Sequence, residues 1–385
     1  MDVRLDSFGV LQVEPTDLCN LQCAMCRPQV ERRGRPHGVP GGFLDPALFA
    51  HILDDLVATD CRFDHVILQW MGEPALHPRL PALVGLAATK LAGRIGYLRV
   101  DTNGVLLDPE RSDAMLEAWL PARQVPLLVV FSLDAVSPEA YRAVKGGDHL
   151  ARVQRNIRYL VDRRARLPGE PLPLNLQIQL VLQEGNAHEV GAFVRTWERF
   201  FACRHGAPGG GRGWDEVMIK RLSVAAGGPG QAAADRRYER SVREQGVSAR
   251  VGPPCSVVLW EERPWEQDDA PRAAAPRGPC PGPWMTPVVR HDGQLTVCCV
   301  DLEGHLALGS LAEHGFRELW EGPRATALRL DHVAGAFARH PTCAACGGIH
   351  WYGFSPETVR AWLDQVGEGA RWAGYAARMG ISAWP

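Results

Sequence analysis

A compact group of metal-binding side chains lies close to the amino terminus. Cys19, Cys23 and Cys26 fall within eight residues, in the pattern C-x3-C-x2-C. Thiolates are soft ligands that suit iron–sulfur clusters and zinc. A structural zinc site takes four protein ligands, and the next Cys or His along the chain is His37. Three thiolates on a four-iron cluster would leave one iron open to another ligand, so the spacing favours a cluster over structural zinc.

A second group of four cysteines lies in the C-terminal half. Cys280, Cys298, Cys343 and Cys346 are separated by 17, 44 and 2 residues. Four thiolates form a closed coordination set that needs no ligand from a substrate. A C-x2-C pair is also typical of structural zinc, so the spacing alone leaves zinc and iron–sulfur open. The first motif shifts the balance, and we expect a second [4Fe–4S] cluster here.

The composition of the 385-residue chain is that of an ordinary globular protein with room for two domains. Its net charge of −2 gives no general attraction to nucleic acid or anionic membranes. No apolar stretch is long enough to span a membrane, and Met1–Asp6 lack the apolar core of a signal peptide. We therefore expect a cytoplasmic protein, in which eleven cysteines indicate metal or redox chemistry rather than disulfides.

Residues 8–223 alternate between strand and helix patterns, which predicts a parallel sheet. Helices are expected from Pro46, over 80–91, over 109–119 and from Asn186. Periodicity alone leaves open a barrel or a doubly wound sheet. The predicted strands are Val10–Pro15, His65–Trp70, Tyr97–Thr102, Leu127–Asp134, Leu174–Leu182 and Val217–Leu222.

The βα pattern stops after the sixth strand. Residues 224–279 contain a glycine-rich break, a charged helix over 232–245 and a stretch rich in Pro and Ala, so they read as a connector between domains. A hairpin turning at Asp292-Gly293 is expected before Cys298. A short amphipathic helix over 311–320 and a C-terminal helix over 355–377 complete the pattern.

With these features, the chain resembles the radical S-adenosylmethionine (SAM) enzymes. In that family a C-x3-C-x2-C motif after the first strand holds a [4Fe–4S] cluster whose open iron chelates the amino and carboxylate groups of SAM. Reductive cleavage of SAM then yields a 5′-deoxyadenosyl radical that abstracts a hydrogen atom from substrate. The resemblance implies an α/β fold, a partial (β/α)6 TIM-like barrel, and a reductant of the flavodoxin or ferredoxin type.

The resemblance also implies residues that contact SAM. Met71-Gly72-Glu73-Pro74, after the second strand, is similar to the family's Gly-Gly-Glu-Pro loop, which receives the SAM ammonium group through its acidic side chain and carbonyls. Met25 stands where the family often has an aromatic residue, and a backbone contact to adenine is expected there. Asn103 and Ser132 follow the third and fourth strands at positions that contact SAM in the family. Taken alone, Asn103-Gly104 is equally a turn signal, and Ser132 equally a strand end.

The C-terminal cysteine unit resembles the twitch domain, the short form of the SPASM domain. The features that carry this are the Cys280-Pro-Gly-Pro-Trp entry, the hairpin into Cys298-Cys299, and the Cys343-x2-Cys346 exit. The predicted divisions are a radical SAM barrel over 1–223, a connector over 224–279, a small α+β twitch domain with an auxiliary cluster over 280–350, and a helical extension over 351–385. Aminocyclitol and aminoglycoside dehydrogenases and epimerases of antibiotic biosynthesis are similar in this arrangement.

A second cluster is most useful if an electron has to leave the substrate. Removing hydrogen from an H–C–OH carbon leaves a ketyl-type radical, and loss of a proton and an electron then gives a ketone. Candidates for the base at strand ends are Lys220, Arg221, Asp134 and His188, with Arg221 as the first choice. The expected activity is oxidation of a carbinol carbon in a polyol, aminocyclitol or aminoglycoside, with the auxiliary cluster accepting the electron.

Three alternatives stay open at this point. The first is epimerisation, in which a thiol returns a hydrogen atom to the opposite face of the substrate. Of the cysteines outside the two motifs (Cys61, Cys203, Cys255 and Cys299), Cys255 is the best donor candidate, because the connector would run over the barrel mouth. The second is peptide modification, which the early start of the barrel disfavours, since it leaves no room for a peptide-binding domain. The third is an electron carrier or sensor, which would not explain Glu73 at a strand end.

Overall fold

The computed structural model describes residues 7–26, 41–167, 172–203, 215–223, 229–260, 277–346 and 355–381. Within these ranges one ten-stranded sheet runs through the molecule, in the order β10-β9-β8-β1-β2-β3-β4-β5-β6-β7. The strands are β1 Ser7–Val13, β2 Arg62–Leu68, β3 Ile95–Thr102, β4 Leu127–Ser132, β5 Leu174–Leu182, β6 Glu216–Arg221, β7 Ser256–Trp260, β8 Val288–Val289, β9 Gln294–Thr296 and β10 Gly309–Ser310.

Strands β1 to β7 are all parallel to their neighbours, and helices connect them, which makes an open partial barrel. The connecting helices are α1 Pro46–Ala58, α2 Leu80–Lys90, α3 Pro109–Trp119, α4 Pro138–Lys145, α5 Leu150–Arg164, α6 Val190–Ala202 and α7 Pro229–Glu244. The C-terminal helices are α8 Gly282–Met285, α9 Phe316–Trp320, α10 Pro323–Ala334, α11 Pro341–Ala344, α12 Pro356–Gln365 and α13 Trp372–Met379. The fold class predicted from the sequence is therefore confirmed.

Local sequence sets the start of these helices. Asp45 caps α1 by accepting a hydrogen bond from the backbone of Ala47 at 2.7 Å, and Pro46 occupies the first turn, where its missing N–H costs nothing. Asp108 and Ser137 cap α3 and α4 in the same way. The apolar faces of the helices then join the outer side of the sheet in one continuous core.

The sheet extends further than the sequence predicted. Residues 224–279 were expected to form a connector, but α7 and β7 continue the βα repeat there, and Val217 of β6 pairs with Val257 of β7. The described chain thus has seven parallel strands where six were predicted. A five-residue strand directly after Pro253-Pro254 is too short to be recognised by its periodicity. The stretch 261–276, which is rich in Pro and Ala, and the predicted boundary at 350 lie outside the described residues.

The C-terminal unit joins the barrel through the sheet itself. Gln12 of β1 pairs in parallel with Val288 of β8, and β8 and β9 form the predicted hairpin, with Gly293 at a φ of 81°. The helices α12 and α13 pack on Trp284 of this unit. The C-terminal extension therefore supports the cysteine-bearing unit.

A buried ion pair crosses the junction between the barrel and the C-terminal unit. Glu14 follows β1, and its Oε2 lies 2.8 Å from Nδ1 of His291 and accepts the His291 backbone N–H at 3.2 Å. Burial alone would lower the pKa of His291, but the hydrogen bond and charge of Glu14 outweigh it and raise that pKa. Among the described helices, none is long and apolar enough to cross a membrane.

We predict that Glu14→Gln destabilises the fold in a pH-dependent way. Because the pKa of His291 is raised on folding, the pair stabilises the protein below the unfolded pKa of about 6.5, and this contribution is lost as the pH rises through the folded pKa. The free energy of unfolding should fall by about 2 kcal/mol at pH 6 and by less at pH 9, measured by urea denaturation. Glu318→Gln, in the exposed His314–Glu318 pair, is the matched control and should change it little. Equal losses at both pH values would contradict the prediction.

Candidate active site

The first cysteine loop rests on the C-terminal turn of α4. The backbone N–H of Ala24 donates to the carbonyl of Val144 at 3.0 Å, and the N–H of Cys26 donates to the carbonyl of Cys23 at 3.2 Å. Gly146 ends α4 at a φ of 73°, and a β-carbon there would lie 2.8 Å from the carbonyl oxygen of Gln22. Only glycine combines this left-handed conformation with such a close approach, so α4 and the cysteine loop fit together at this point.

The thiols of this loop are suited to share a metal group. Burial raises the pKa of Cys19 to about 11, and the neighbouring Glu73, Cys23 and Cys26 raise it further because like charges repel. Burial also raises the pKa of Cys23. Thiolates in this position need a compensating cation, and a coordinated thiol is deprotonated outright. The residues present therefore fit the cluster that the C-x3-C-x2-C spacing predicts.

The four C-terminal cysteines come together from three separate segments. Burial raises the pKa of Cys280 and of Cys343 to about 12, and each is raised further by the proximity of Cys298. Cys346 is close enough to act on Cys343 in the same way. The structure thus unites a set of thiols spread over 67 residues of sequence, and this set is suited to a second cluster.

Two further side chains adjoin the C-terminal thiols. His332 accepts the backbone N–H of Cys280 at its Nδ1 (3.3 Å), so the ring proton belongs on Nε2, which lies 3.4 Å from Sγ of Cys343. A hydrogen bond with Cys298 lowers the pKa of Cys299 and outweighs burial, which would raise it. Within the described residues, no three His, Cys, Asp or Glu side chains meet closely enough to hold a single metal ion. The fit to clusters therefore rests on the thiol chemistry and grouping.

Glu73 fastens the loop after β2 to its neighbours. Its Oε1 accepts hydrogen bonds from the backbone of Ala75 at 3.0 Å and from the hydroxyl of Thr102 at 2.6 Å, and its Oε2 accepts from the backbone of Asn103 at 2.7 Å. Burial raises the pKa of Glu73, while these hydrogen bonds oppose the rise. The family resemblance assigns the SAM ammonium group to this carboxylate together with the loop carbonyls. The contact of Glu73 with SAM stays a prediction, and Oε2, with one hydrogen bond, can accept another.

Gly72 brings this loop against the cysteine loop. A β-carbon at Gly72 would lie 2.1 Å from the carbonyl oxygen of Thr16 and 2.5 Å from that of Leu18, so no larger residue fits. The N–H of Glu73 donates to the same Leu18 carbonyl at 2.8 Å. The substitution of Met71 for the family's first glycine therefore leaves the close approach intact, because Gly72 is the position that requires it.

The other residues expected to contact SAM lie at the same edge of the sheet. Asn103 donates from Nδ2 to Oδ1 of Asn20 in the cysteine loop at 2.8 Å. Ser132 is the half-buried last residue of β4. Met25 lies against Gln183, with 2.9 Å between its Sδ and the amide nitrogen of that residue. The structure brings these side chains to the ends of neighbouring strands, and their contact with SAM stays a prediction.

A buried ion pair stands beside Cys23. Asp134 has a φ of 64°, its Oδ1 accepts the N–H of Val181 at 2.7 Å, and its Oδ2 lies 2.6 Å from Nζ of Lys145. Burial alone would lower the pKa of Lys145, but Asp134 and Cys23 raise it. The charge of Lys145 in turn favours the thiolate of Cys23. Asp134 was a candidate base, but both of its carboxylate oxygens contact other groups of the protein. His188, another candidate, is largely exposed next to Glu189.

A polar surface forms on the inner face of β3, β5 and β6. Asp101 of β3 pairs with Val130 of β4, which pairs with Gln177 of β5, which pairs with Glu216 of β6. Gln179 lies two residues after Gln177 on β5 and therefore on the same face. Arg99 and Asp101 form a two-point ion pair, both contacts 2.6 Å. Within the described residues, the side-chain oxygens of Gln177 and Gln179 are buried without a hydrogen-bond partner. Such groups are costly to leave unsatisfied, so this face is suited to bind water or a polar ligand.

Lys220 belongs to this inner face. It lies four residues after Glu216 on β6 and therefore on the same face of the strand. It is close enough to Arg99, Asp101 and Asp134 for their charges to act on it. Burial lowers the pKa of Lys220 to about 8; the positive charge of Arg99 lowers it further, while the two aspartates oppose this. An amine with this pKa exists partly in its neutral form near pH 8 and can then accept a proton.

Arg221, the first-choice base from the sequence, lies on the other face of β6. Its guanidinium is 3.7 Å from Asp235 and 3.4 Å from Glu239 of α7, and it stacks over the ring of Tyr238. Successive residues of a strand point to opposite faces, so of the two neighbouring candidates only Lys220 lies on the inner face. Arg221 contacts the outer helix α7.

Cys255 also lies away from the site. β7 runs parallel to β6, so Ser256, the first residue of β7, lies at the amino end of the sheet. Its N–H donates to the carbonyl of Asp215, just before β6, at 2.9 Å. Cys255 is fully buried there, which raises its pKa to about 12. The prediction assumed that the connector crossed the barrel mouth. The seventh strand instead carries this thiol to the end opposite the cysteine loop.

The segment that follows Cys298 touches the loop that contains Glu73. The indole N–H of Trp70, at the end of β2, donates to the carbonyl of Cys299 at 2.7 Å. Trp70 and Met71 pack with Val288 and Leu302 of the C-terminal unit in a small apolar cluster. Sequence reasoning missed this contact because it joins residues 229 positions apart, and only the tryptophan at a strand end hinted at it.

Comparisons with known proteins agree with this arrangement. Residues 13–166 match the family model of the Radical SAM superfamily, and residues 280–347 match that of SPASM, an iron–sulfur cluster-binding domain. A curated relative, a GTP 3′,8-cyclase of Chlorobaculum tepidum, is 29% identical over 196 residues, which cover 50% of this chain and 52% of the relative. The chain therefore matches about half the length of that relative.

Two solved structures share the fold over most of the chain. Histidine-tagged anSMEcpe with bound AdoMet aligns with a TM-score of 0.56 at 14% identity, over 97% of this chain and 98% of its own. SuiB from Streptococcus suis, bound to S-adenosylmethionine, aligns with a TM-score of 0.56 at 12% identity, over 90% of this chain and 74% of its own. At these identities the likeness shows the fold. SAM and [4Fe–4S] clusters are the cofactors that the two matched domains imply.

We predict that Lys145→Met destabilises the protein by about 3–5 kcal/mol, because it leaves the buried Asp134 carboxylate without its cation. Adding Asp134→Asn should recover most of this loss, since Asn keeps the bond from Val181 and tolerates the positive φ. Arg142→Met, on the exposed side of the same helix, is the matched control. The double-mutant cycle is measured by urea unfolding of the wild type, Lys145→Met, Asp134→Asn and the double variant. If the effects of the two buried substitutions were additive, the pairing would be refuted.

We also predict the iron content after anaerobic reconstitution. Two [4Fe–4S] clusters require about eight irons per chain, and Cys343→Ala with Cys346→Ala should leave about four, with SAM cleavage retained. Cys61→Ala, remote from both cysteine groups, is the control and should keep about eight irons. About four irons plus one zinc in the wild type would instead make the C-terminal site structural.

Proposed function

We propose that this chain, which carries a radical SAM domain followed by a SPASM-type iron–sulfur domain, oxidises a carbinol carbon of a polar small molecule to a ketone. The substrate class that we favour is a polyol bearing amino groups, such as an aminocyclitol or aminoglycoside. The reductant that starts the cycle, a flavodoxin or ferredoxin type of protein, is part of the same proposal.

The reaction removes two hydrogens from an H–C–OH group as one hydrogen atom, one proton and one electron. When bound, SAM with the first cluster supplies the radical that takes the hydrogen atom, and the second cluster supplies a one-electron acceptor. The remaining task of the protein is to hold the alcohol in place and accept its proton.

The observation that carries this proposal is the contact between the two halves of the site. Trp70 hydrogen-bonds the carbonyl of Cys299, and Met71 packs beside it. Because Cys299 directly follows Cys298, this contact supports an auxiliary cluster close to the loop of Gly72 and Glu73. A cluster at that position would be well placed to accept an electron that leaves the substrate.

The inner face of the barrel supports a polar substrate. Among the residues that the structure describes, the buried amide oxygens of Gln177 and Gln179 have no hydrogen-bond partner, and hydroxyl or ammonium groups of a ligand would satisfy them. Arg99 and Asp101 add charged groups to the same surface. An apolar substrate would leave these groups unpaired, so the surface favours ligands rich in donors.

Lys220 is the proton acceptor in this proposal. Its amine lies on the inner face, and its pKa near 8 makes the neutral form accessible close to physiological pH. Arg221 is unsuited to this role, because its guanidinium stays protonated and faces α7. Proton transfer to Lys220 would turn the ketyl radical into a strongly reducing anion that gives up its electron readily.

The competing functions differ in their products. Epimerisation needs a thiol at the site, and Cys255, its donor in the sequence-based hypothesis, lies at the far end of the sheet. A peptide substrate or GTP, the nucleotide named in the cyclase relative, would each give a product of different mass. The reconstituted enzyme should therefore be incubated with SAM, a chemical reductant and, separately, aminocyclitols, a cysteine-containing peptide and GTP. A product two hydrogens lighter than an aminocyclitol supports the proposal, and an isomer of equal mass overturns it.

We predict that Lys220→Met and Lys220→Arg lower the rate of ketone formation by about 10²-fold or more, since neither side chain accepts a proton. In the wild type, the rate should rise with pH through about 8, as Lys220 becomes neutral, and this rise should vanish in both variants. Arg221→Gln, one residue along on the outer face, is the matched control. SAM cleavage without substrate should be unaffected in all three, which separates loss of the base from loss of the cluster.

A pH profile that survives in Lys220→Met would assign the proton to another group. Product and 5′-deoxyadenosine are both quantified by liquid chromatography, so uncoupled SAM cleavage is seen directly. A strong loss of activity in Arg221→Gln would contradict the assignment of faces on β6.

A further inference from the structure

Arg277 hydrogen-bonds the backbone of the C-terminal C-x2-C pair, Cys343 and Cys346. Its Nη1 donates to the carbonyl oxygen of Cys343 at 3.0 Å and to that of Cys346 at 3.1 Å. The guanidinium also stacks over the ring of Phe337, 4.1 Å from the ring centre. Two carbonyl bonds and an aromatic platform fix the position of this cation next to two cysteines of the auxiliary group.

The positive charge of Arg277 lies close to the cysteine pair. Because its Nη1 is within hydrogen-bond distance of both carbonyl oxygens, the guanidinium lies against the backbone of Cys343 and Cys346. Arginine keeps this charge at any relevant pH.

The C-terminal helix holds Arg277 in place. Arg378 of α13 donates from Nη1 to the carbonyl of Arg277 at 2.8 Å and from Nη2 to the carbonyl of Val333 at 2.7 Å. Val333 directly follows His332 on α10, and His332 directs its Nε2 proton to Sγ of Cys343. A continuous set of hydrogen bonds thus runs from the C-terminal extension to the auxiliary cysteines.

We propose that Arg277 is a positioning residue that raises the reduction potential of the auxiliary cluster, with Arg378 supporting it from the C-terminal helix. A cluster gains negative charge on reduction, and a fixed cation with hydrogen bonds nearby stabilises the reduced form. The inference uses the proposed function only in treating this cluster as the electron acceptor. The potential itself does not depend on the substrate.

The test is a redox titration of the auxiliary cluster, followed by electron paramagnetic resonance. Cys19, Cys23 and Cys26 are first changed to alanine, so that the signal comes from the auxiliary cluster alone. In this background Arg277→Gln should lower the midpoint potential by at least about 59 mV, the equivalent of a tenfold change for one electron. Arg277→Lys, which keeps the charge, should recover part of the shift. Arg339→Gln, an exposed arginine of the same unit, is the matched control and should leave the potential unchanged.

The outcomes are distinct. If Arg277→Gln shifts the potential no more than Arg339→Gln does, the inference is overturned. If Arg277→Gln fails to retain its iron, Arg277→Lys and Arg378→Gln are titrated in its place. A lower midpoint potential in Arg378→Gln supports the proposal. Unchanged potentials in both variants overturn it. A shifted potential in an enzyme that forms no ketone from any polyol would sustain this inference while refuting the proposed function.

Discussion

The buried carboxylate of Glu73 is the interaction on which the site depends. A carboxylate is costly to remove from water unless it is fully hydrogen-bonded, and three donors from Ala75, Thr102 and Asn103 meet this need. The same residue ties its own loop to the carbonyl of Leu18 ahead of the cysteines. The ends of β1, β2 and β3 are therefore fixed relative to one another by a single residue, and the site is organised before any cofactor binds.

The two cysteine groups share an electrostatic arrangement. Lys145 stands beside Cys23 and is balanced by Asp134, while Arg277 stands beside Cys343 and is held by backbone carbonyls. Both cations come from segments packed against the cysteine loops. The difference in their partners is informative. A carboxylate neutralises the first cation, whereas no carboxylate of the described residues pairs with the second. This difference is what we expect if the second site receives an electron, as we propose.

The sequence was informative where chemistry follows from local spacing. The cysteine motifs, Glu73 and the parallel strands were all predicted, because each depends on a few consecutive residues. The choice between Lys220 and Arg221 as the candidate base could not be made from the sequence, because neighbouring residues of a strand point to opposite faces and the sequence does not say which face is the inner one. Cys255 was misplaced because β7 is too short to show a pattern. Trp70 and Arg277 were beyond reach, since their partners lie far away in sequence and emerge only from the tertiary fold.

The pairing of β1 with β8 has a mechanical consequence. Because the barrel and the cysteine-bearing unit are parts of one sheet, the hydrogen bonds around Gln12 and Val288 would have to break before one part could swing away from the other. The shared strand pairing thus limits how far the segment that carries Cys280 and Cys298 can move relative to the first cysteine loop, so we expect the two to behave as one rigid body.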